Sequence, residues 1–230
     1  MANNLSQLQE IEVTNCKKLQ DIICKESEEQ VHQNERISRI EFTQLRTLTL
    51  QSLPWLTDFS FKAFTSDIGS HEILVEDEHG VFMSFISQKV SFPCLEELEL
   101  CELPELLHLW KENSQPSKVF ENLSCPKVAG YGNLKTLVPS SVSLQNLTML
   151  EVQKCDGLIN FVTFSTAKSL KQLKIMNIID CKIMEEILVG IGDEVKDVIV
   201  FNQLKYLKLS RFTIEFPYLQ RVLVIRSQSG

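Results

Sequence analysis

The densest set of side chains able to hold a cation is His71, Glu76, Asp77, Glu78 and His79, imidazoles and carboxylates within nine residues. Such donors suit zinc or a comparable divalent ion. The four histidines (32, 71, 79, 108) have no H-x-x-H-type spacing, however, and these residues lie in a mostly polar insertion, so the cluster is read as a solvated charged loop. Glu96 and Glu97 are the next candidates, for acid and base work, but neighbouring residues of a strand point to opposite faces and cannot act on one substrate. No G-x-S-x-G nucleophile turn occurs. Seven cysteines (16, 24, 94, 101, 125, 155, 181) include no C-x-x-C pair, which points to free thiols in a reducing compartment. No catalytic residue, cofactor site or metal site is expected.

Composition narrows the partners. With 230 residues and 43% hydrophobic content the chain can bury a real core. A net charge of −7 gives no electrostatic reason to bind nucleic acid or anionic lipid. The opening MANNLSQLQEIEV lacks a basic and then apolar leader, and no apolar run is long enough to span a membrane. The expectation is a soluble, intracellular (cytoplasmic) protein with no membrane span, nucleic acid or small molecule among its partners.

The elements that position side chains emerge from an internal rhythm. In FPCLEELELCELPELLHLW (92–110) apolar residues stand at offsets 0, +3, +6, +8, +11, +14 and +18 from Phe92. The rhythm recurs from Leu5, Phe42, Leu144, Leu170 and Phe201, with a final half from Phe216. Residues +6 and +8 obey the two-residue period of a strand, so Leu98 and Leu100 point inward while Glu97, Glu99 and Cys101 point out. The other apolar positions belong to bends and a return path that closes one coil. About six buried side chains at roughly 1.5–3 kcal/mol each do not offset about 1.5 kcal/mol per residue of ordering over some 25 residues. Coils must therefore stack, strand beside strand, in a parallel sheet.

One unit departs from the template. From Leu123 the chain reads LSCPKVAGYGNLKTL, with Pro126 at +3 and NLKTL three residues early. Pro126, Gly130 and Gly132 weaken a strand, so a degenerate unit with a distorted strand is expected. The starts (5, 42, 92, 123, 144, 170, 201, 216) are unevenly spaced, and the polar stretches 24–41, 60–91, 111–119 and 190–198 are expected to be mobile insertions. In the second, the run Val81–Ile86 suggests an added strand or hairpin. Position +11 holds Cys16, Leu53, Leu103, Cys155, Cys181 and Phe212; a cysteine there offers a weak S–H donor to the turning backbone. Asn4-Leu5-Ser6, Asn122-Leu123-Ser124 and Asn146-Leu147-Thr148 match the glycosylation pattern, but the match follows from an Asn-Leu habit at the repeat start and is read as unused.

LQEIEVTNCKKLQDII, FTQLRTLTLQSLPWLTDF, FPCLEELELCELPELLHLW, LTMLEVQKCDGLINF and IIDCKIMEEIL together resemble the leucine-rich-repeat region of plant intracellular nucleotide-binding disease-resistance proteins of the coiled-coil type. The resemblance implies an α/β-type repeat solenoid over 1–230, an irregular horseshoe with a parallel β-sheet on its concave face and a convex side of mostly loop and short helix. The chain contains no G-x-x-x-x-G-K-[ST] phosphate loop and no coiled-coil heptads, which suggests a fragment or a short product that kept only the repeats.

The resemblance also implies a non-enzymatic recognition module that binds pathogen effectors or host proteins and helps hold the receptor's nucleotide-binding domain inactive. A generic scaffold or adaptor is the alternative. The residues expected to carry recognition are the outward ones at +5 and +7: Glu10, Glu12, Thr47, Thr49, Glu97, Glu99, Met149, Glu151, Ile175, Asn177, Tyr206 and Lys208, with Arg221 in the last half unit. They run from acidic to basic, with Ile175, Ile179 and Tyr206 between, an arrangement suited to aromatic anchoring and charge steering. Trp55 and Trp110 in the post-strand turns are read as core filler.

Overall fold

Leucines two residues apart bury themselves only if another coil lies against each strand, and the structure is built on that requirement. This computed structural model describes residues 7–20, 22, 40–56, 90–105, 121–132, 134, 136–138, 144–158, 160–182, 186–189 and 201–211. Within them the elements are β1 (Glu10–Thr14), β2 (Ile40–Glu41), β3 (Thr47–Gln51), β4 (Val90–Ser91), β5 (Glu97–Cys101), β6 (Cys125–Ala129), β7 (Thr136–Val138), β8 (Met149–Gln153), β9 (Asn160–Thr163), α1 (Phe164–Ser169), β10 (Ile175–Ile179), β11 (Glu186–Val189) and β12 (Tyr206–Ser210). Seven strands form one open parallel sheet in the order β1-β3-β5-β6-β8-β10-β12. Register is exact to the template: Glu12 pairs with Thr49, Thr49 with Glu99, Glu99 with Lys127, Lys127 with Glu151, Glu151 with Asn177 and Asn177 with Lys208.

The inward residues behave as the period requires. Leu48, Leu50, Leu98, Leu100, Leu150, Val152, Met176 and Ile178 are buried and belong to one continuous apolar cluster from Phe42 to Phe201. Phe42 and Phe92, both first positions of a repeat, stack with centroids 5.5 Å apart. On β1 and β12, each paired on one side only within this sheet, the equivalent Ile11, Val13, Leu207 and Leu209 are half-buried. Of the +11 cysteines, Cys155 donates to the Gln153 carbonyl at 3.4 Å, Cys181 to Ile179 at 3.6 Å and Cys16 to Thr14 at 3.5 Å. The S–H group thus reaches back two residues to the last carbonyl of its own strand.

The unit expected to be degenerate is regular. β6 pairs with all five residues of β5, from Glu97↔Cys125 to Cys101↔Ala129. That register puts the repeat start at Phe120, so that Leu123, Pro126, Val128, Tyr131, Leu134 and Leu137 fall at +3, +6, +8, +11, +14 and +17, and all six are buried. Asn122 then occupies the same position as Asn146, and both do the same thing: Asn122 Nδ2 donates to the Pro93 carbonyl at 2.7 Å and Asn146 Nδ2 to the Glu121 carbonyl at 2.8 Å, each the second residue of the preceding coil. Pro126 fills an inward position opposite Leu98. Lacking an N–H, it costs the ladder only on its other side, where pairing to β8 begins one residue later, at Lys127↔Glu151.

Two further features add to the expectations. The described part of the return side carries strands as well as loop and helix: β7, β9 and β11 form a second parallel sheet, beginning sixteen residues after Phe120, Leu144 and Leu170 respectively. The short helix expected there is present as α1, whose N-cap Thr163 side chain accepts from Thr166 N. The polar stretches 24–41 and 60–91 end in β2 and β4, which pair in parallel; the rest of both, the run at Val81–Ile86, the cluster around His71 to His79, and 111–119 and 190–198 lie outside the described residues.

What bolts one coil to the next is a left-handed residue directly after each strand. Asn15, Ser52, Glu102, Gly130, Lys154, Asp180 and Arg211, all at +10, have φ between 50° and 77°. From Asn15 to Asp180 each donates its backbone N–H to the last strand carbonyl of the following coil at 2.8–3.0 Å. At the other strand end one carbonyl, such as Glu96 O, accepts from two successive amides of the next coil, Ser124 N and Cys125 N. Positive φ disfavours side chains branched at Cβ, and Lys154 is exposed, so packing does not confuse the test. Lys154→Val is expected to lower stability in urea unfolding by about 1–2 kcal/mol while Lys154→Asn leaves it nearly unchanged.

Candidate functional site

Because the strands are in register, their outward residues form three straight rows across the sheet. The +5 row is Glu10, Thr47, Glu97, Cys125, Met149, Ile175 and Tyr206; the +7 row is Glu12, Thr49, Glu99, Lys127, Glu151, Asn177 and Lys208; the +9 row is Thr14, Gln51, Cys101, Ala129, Gln153, Ile179 and Ser210. Every residue expected from the sequence to face outward on the described strands does lie in these rows, and the rows bring them together on one surface. Arg221 lies outside the described residues. Glu10, Glu12, Glu97, Tyr206 and Lys208 are exposed, while Thr47, Thr49, Glu99, Met149, Glu151, Ile175 and Asn177 are half-buried.

The middle of the +7 row carries two hydrogen-bonded polar groups, which adjoin where Lys127 pairs in register with Glu151. Lys127 Nζ donates to Glu99 Oε1 at 2.6 Å, Asn177 Nδ2 to Glu151 Oε2 at 3.2 Å, and Gln153 Nε2 to Glu151 Oε1 at 2.8 Å. The Glu99 hydrogen bond is the main reason the Lys127 ammonium is held above the ordinary lysine range, partly opposed by desolvation. Lys127 was hidden in the sequence by counting from Leu123; counting from Phe120 places it at +7. The signal was available in the spacing of Leu123, Val128, Tyr131, Leu134 and Leu137.

Polar and charged pairs elsewhere follow the same logic of equal positions on adjacent coils. Arg46 pairs with Glu96 at +4, Ser52 Oγ donates to Glu102 Oε2 at 2.7 Å and Arg211 Nη1 to Asp180 Oδ2 at 3.3 Å at +10, and Lys182 meets Asp156 at 2.8 Å at +12. The Lys182 hydrogen bond lowers the Asp156 carboxyl below its usual range. Exposed pairs of this kind stabilise little.

Two side chains are not where the sequence reading put them. Cys101, expected on display, is buried: its short side chain sits in the +9 row between Gln51 and Ala129, with Sγ 3.5 Å from Glu99 Oε1. Trp55, expected as core filler, is 59% exposed, and together with Tyr206 it is a large apolar side chain open to solvent. Its turn position follows the buried Leu53 and precedes the buried Leu56, which leaves the indole no inward slot. Trp110 lies outside the described residues. Ile175 and Ile179, the strongest sign of an exposed apolar band, are half-buried, so the apolar display centres on Tyr206.

Nothing in the rows resembles a catalytic constellation, and among the described residues no group of three histidine, cysteine or acidic side chains is placed to hold a metal ion. Among them, too, no helix is long and apolar enough to cross a membrane. Burial, and next the charge of Glu99, push the Cys101 thiol up to about 11. Removing that charge has a defined sign: Glu99→Gln is expected to lower the pH at which Cys101 is alkylated by iodoacetamide, followed peptide by peptide in mass spectrometry, with Cys16 unchanged.

Comparison with known proteins agrees with the repeat reading. The family model described as Plant disease resistance protein RPS2-like, leucine-rich repeats, matches residues 72–156 and 142–224, about two thirds of the chain. No curated protein and no solved structure matches it.

Proposed function

The chain belongs to the RPS2-like leucine-rich-repeat family of plant disease resistance proteins, and from that premise we propose that it is the non-enzymatic recognition module of an intracellular immune receptor. In this reading the repeats form one solenoid over 1–230, the seven-stranded sheet lines its concave side, and the outward rows contact a pathogen effector or host protein. The same rows help hold the nucleotide-binding domain of the receptor inactive when no effector is present.

The observation that carries the reading is the sheet face itself. Seven strands in register present Glu10, Glu12 and Glu97 towards one end and Tyr206 and Lys208 at the other, all exposed, while the apolar residues between them are buried on the five inner strands and half-buried against the core on β1 and β12. Such a face offers an aromatic anchor and opposite charges on a rigid backbone, which is what protein recognition draws on. Family membership makes protein interaction in defence the general function; the particular partner and the inhibitory role are the steps proposed here.

In a pull-down with the nucleotide-binding domain of the same receptor, combining Glu97→Lys, Glu99→Gln, Tyr206→Ser and Lys208→Glu is expected to reduce capture about tenfold or more. Lys168→Glu on α1 is expected to leave capture unchanged. Equal capture by the wild type and the combined variant contradicts the proposal.

A further inference from the structure

The last two described coils carry a feature the rest of the sheet lacks. Lys174 and Lys205 occupy the same +4 position on adjacent coils and are held side by side by the backbone, with Lys205 N and Tyr206 N both donating to Lys174 O at 2.8 and 3.0 Å. Both are exposed, as is Lys208. At the same position, just before β3 and β5, the side-by-side pair is Arg46 and Glu96, opposite charges in contact. Lys174, Lys205 and Lys208 have no ion-pair partner among the described residues, although Lys182 and Arg211, beyond the other ends of β10 and β12, are paired to Asp156 and Asp180. Like charges on adjacent strands repel, so this corner gains from an acid supplied from outside.

Beside these cations lies the apolar part of the +5 row. Met149 pairs in register with Ile175, and Ile175 with Tyr206, at a strand spacing of about 4.8 Å. Met149 and Ile175 are half-buried and Tyr206 is 52% exposed, giving a short apolar strip that ends in an aromatic ring flanked in sequence by Lys205 and two residues on by Lys208. The whole chain carries a net charge of −7, so the basic corner is local and does not favour a long polyanion.

Resting on the reading of the sheet face as a recognition surface, we propose that this corner, Met149, Ile175 and Tyr206 rimmed by Lys174, Lys205 and Lys208, binds an extended acidic peptide segment that carries an apolar or aromatic anchor. The anchor packs along the +5 row against Tyr206, and the flanking carboxylates neutralise the three lysines.

Fluorescence anisotropy with a labelled peptide of sequence DEDFEELD tests this. Binding is expected to weaken about tenfold when Lys174→Glu and Lys205→Glu are combined and about tenfold for Tyr206→Ser, and to weaken with added salt, while Lys17→Glu at the far end changes nothing. The proposal is overturned if the peptide does not bind, or if Lys17→Glu weakens it as much as the double variant does. It is also overturned if a thymidine oligonucleotide of equal charge binds as tightly and Tyr206→Ser has no effect on either. Concentration-dependent self-association that the double variant abolishes, and that the peptide does not compete, assigns the corner to the acidic end of a second copy and overturns it too. If the peptide fails while capture of the nucleotide-binding domain still depends on Glu97, Glu99, Tyr206 and Lys208, only this inference falls and the recognition reading stands.

Discussion

The hydrogen bond from the left-handed residue after each strand to the last carbonyl of the next coil is the constraint on which the rest of the structure depends. It is made by Asn15, Ser52, Glu102, Gly130, Lys154 and Asp180 alike, whatever the side chain. The turn ends every strand at the same template position, so the next strand can pair in only one register. A slip of one residue would turn every inward leucine to solvent, and the leucines oppose that slip with the apolar area of a whole coil. Backbone geometry and burial therefore enforce the same alignment.

Register in turn makes the solvent face a surface with an address at each point. Equal positions on adjacent coils lie side by side, so a change of charge from one repeat to the next becomes either a cross-coil pair, as with Glu99 and Lys127, or an unpaired corner, as with Lys174 and Lys205. The fold is indifferent to most of these choices because exposed pairs stabilise little. That indifference is what leaves the outward residues available for recognition.

Much of this was legible in the chain itself. The strands β1, β3, β5, β8, β10 and β12 follow from the +6 and +8 apolar residues, since a period of two inside a longer repeat has no other physical reading. β6 was misplaced because Pro126 and Gly130 look like strand breakers; in place, the proline gives up one side of its ladder and the glycine occupies the turn position that favours it, with φ 77°. The second sheet was not legible, because Thr136–Val138, Asn160–Thr163 and Glu186–Val189 are short runs of adjacent apolar residues without the two-residue alternation that marks a strand. Nor was the left-handed position, since only Asn15, Gly130 and Asp180 carry a residue type that favours such a turn. On the site, Lys127 was lost with the register of β6, and the burial of Cys101 depends on longer neighbours in the adjacent rows that no single strand reveals.

The most direct measurement of the central constraint is residue-resolved amide hydrogen exchange by NMR. Glu102 and Lys154 have exposed side chains in post-strand turns, where an unbonded amide would exchange quickly. If coils are locked as described, the amides of Ser52, Glu102, Gly130, Lys154 and Asp180 exchange as slowly as those within β5 and β8. Exchange at the rate of open turns at these five positions would contradict the account.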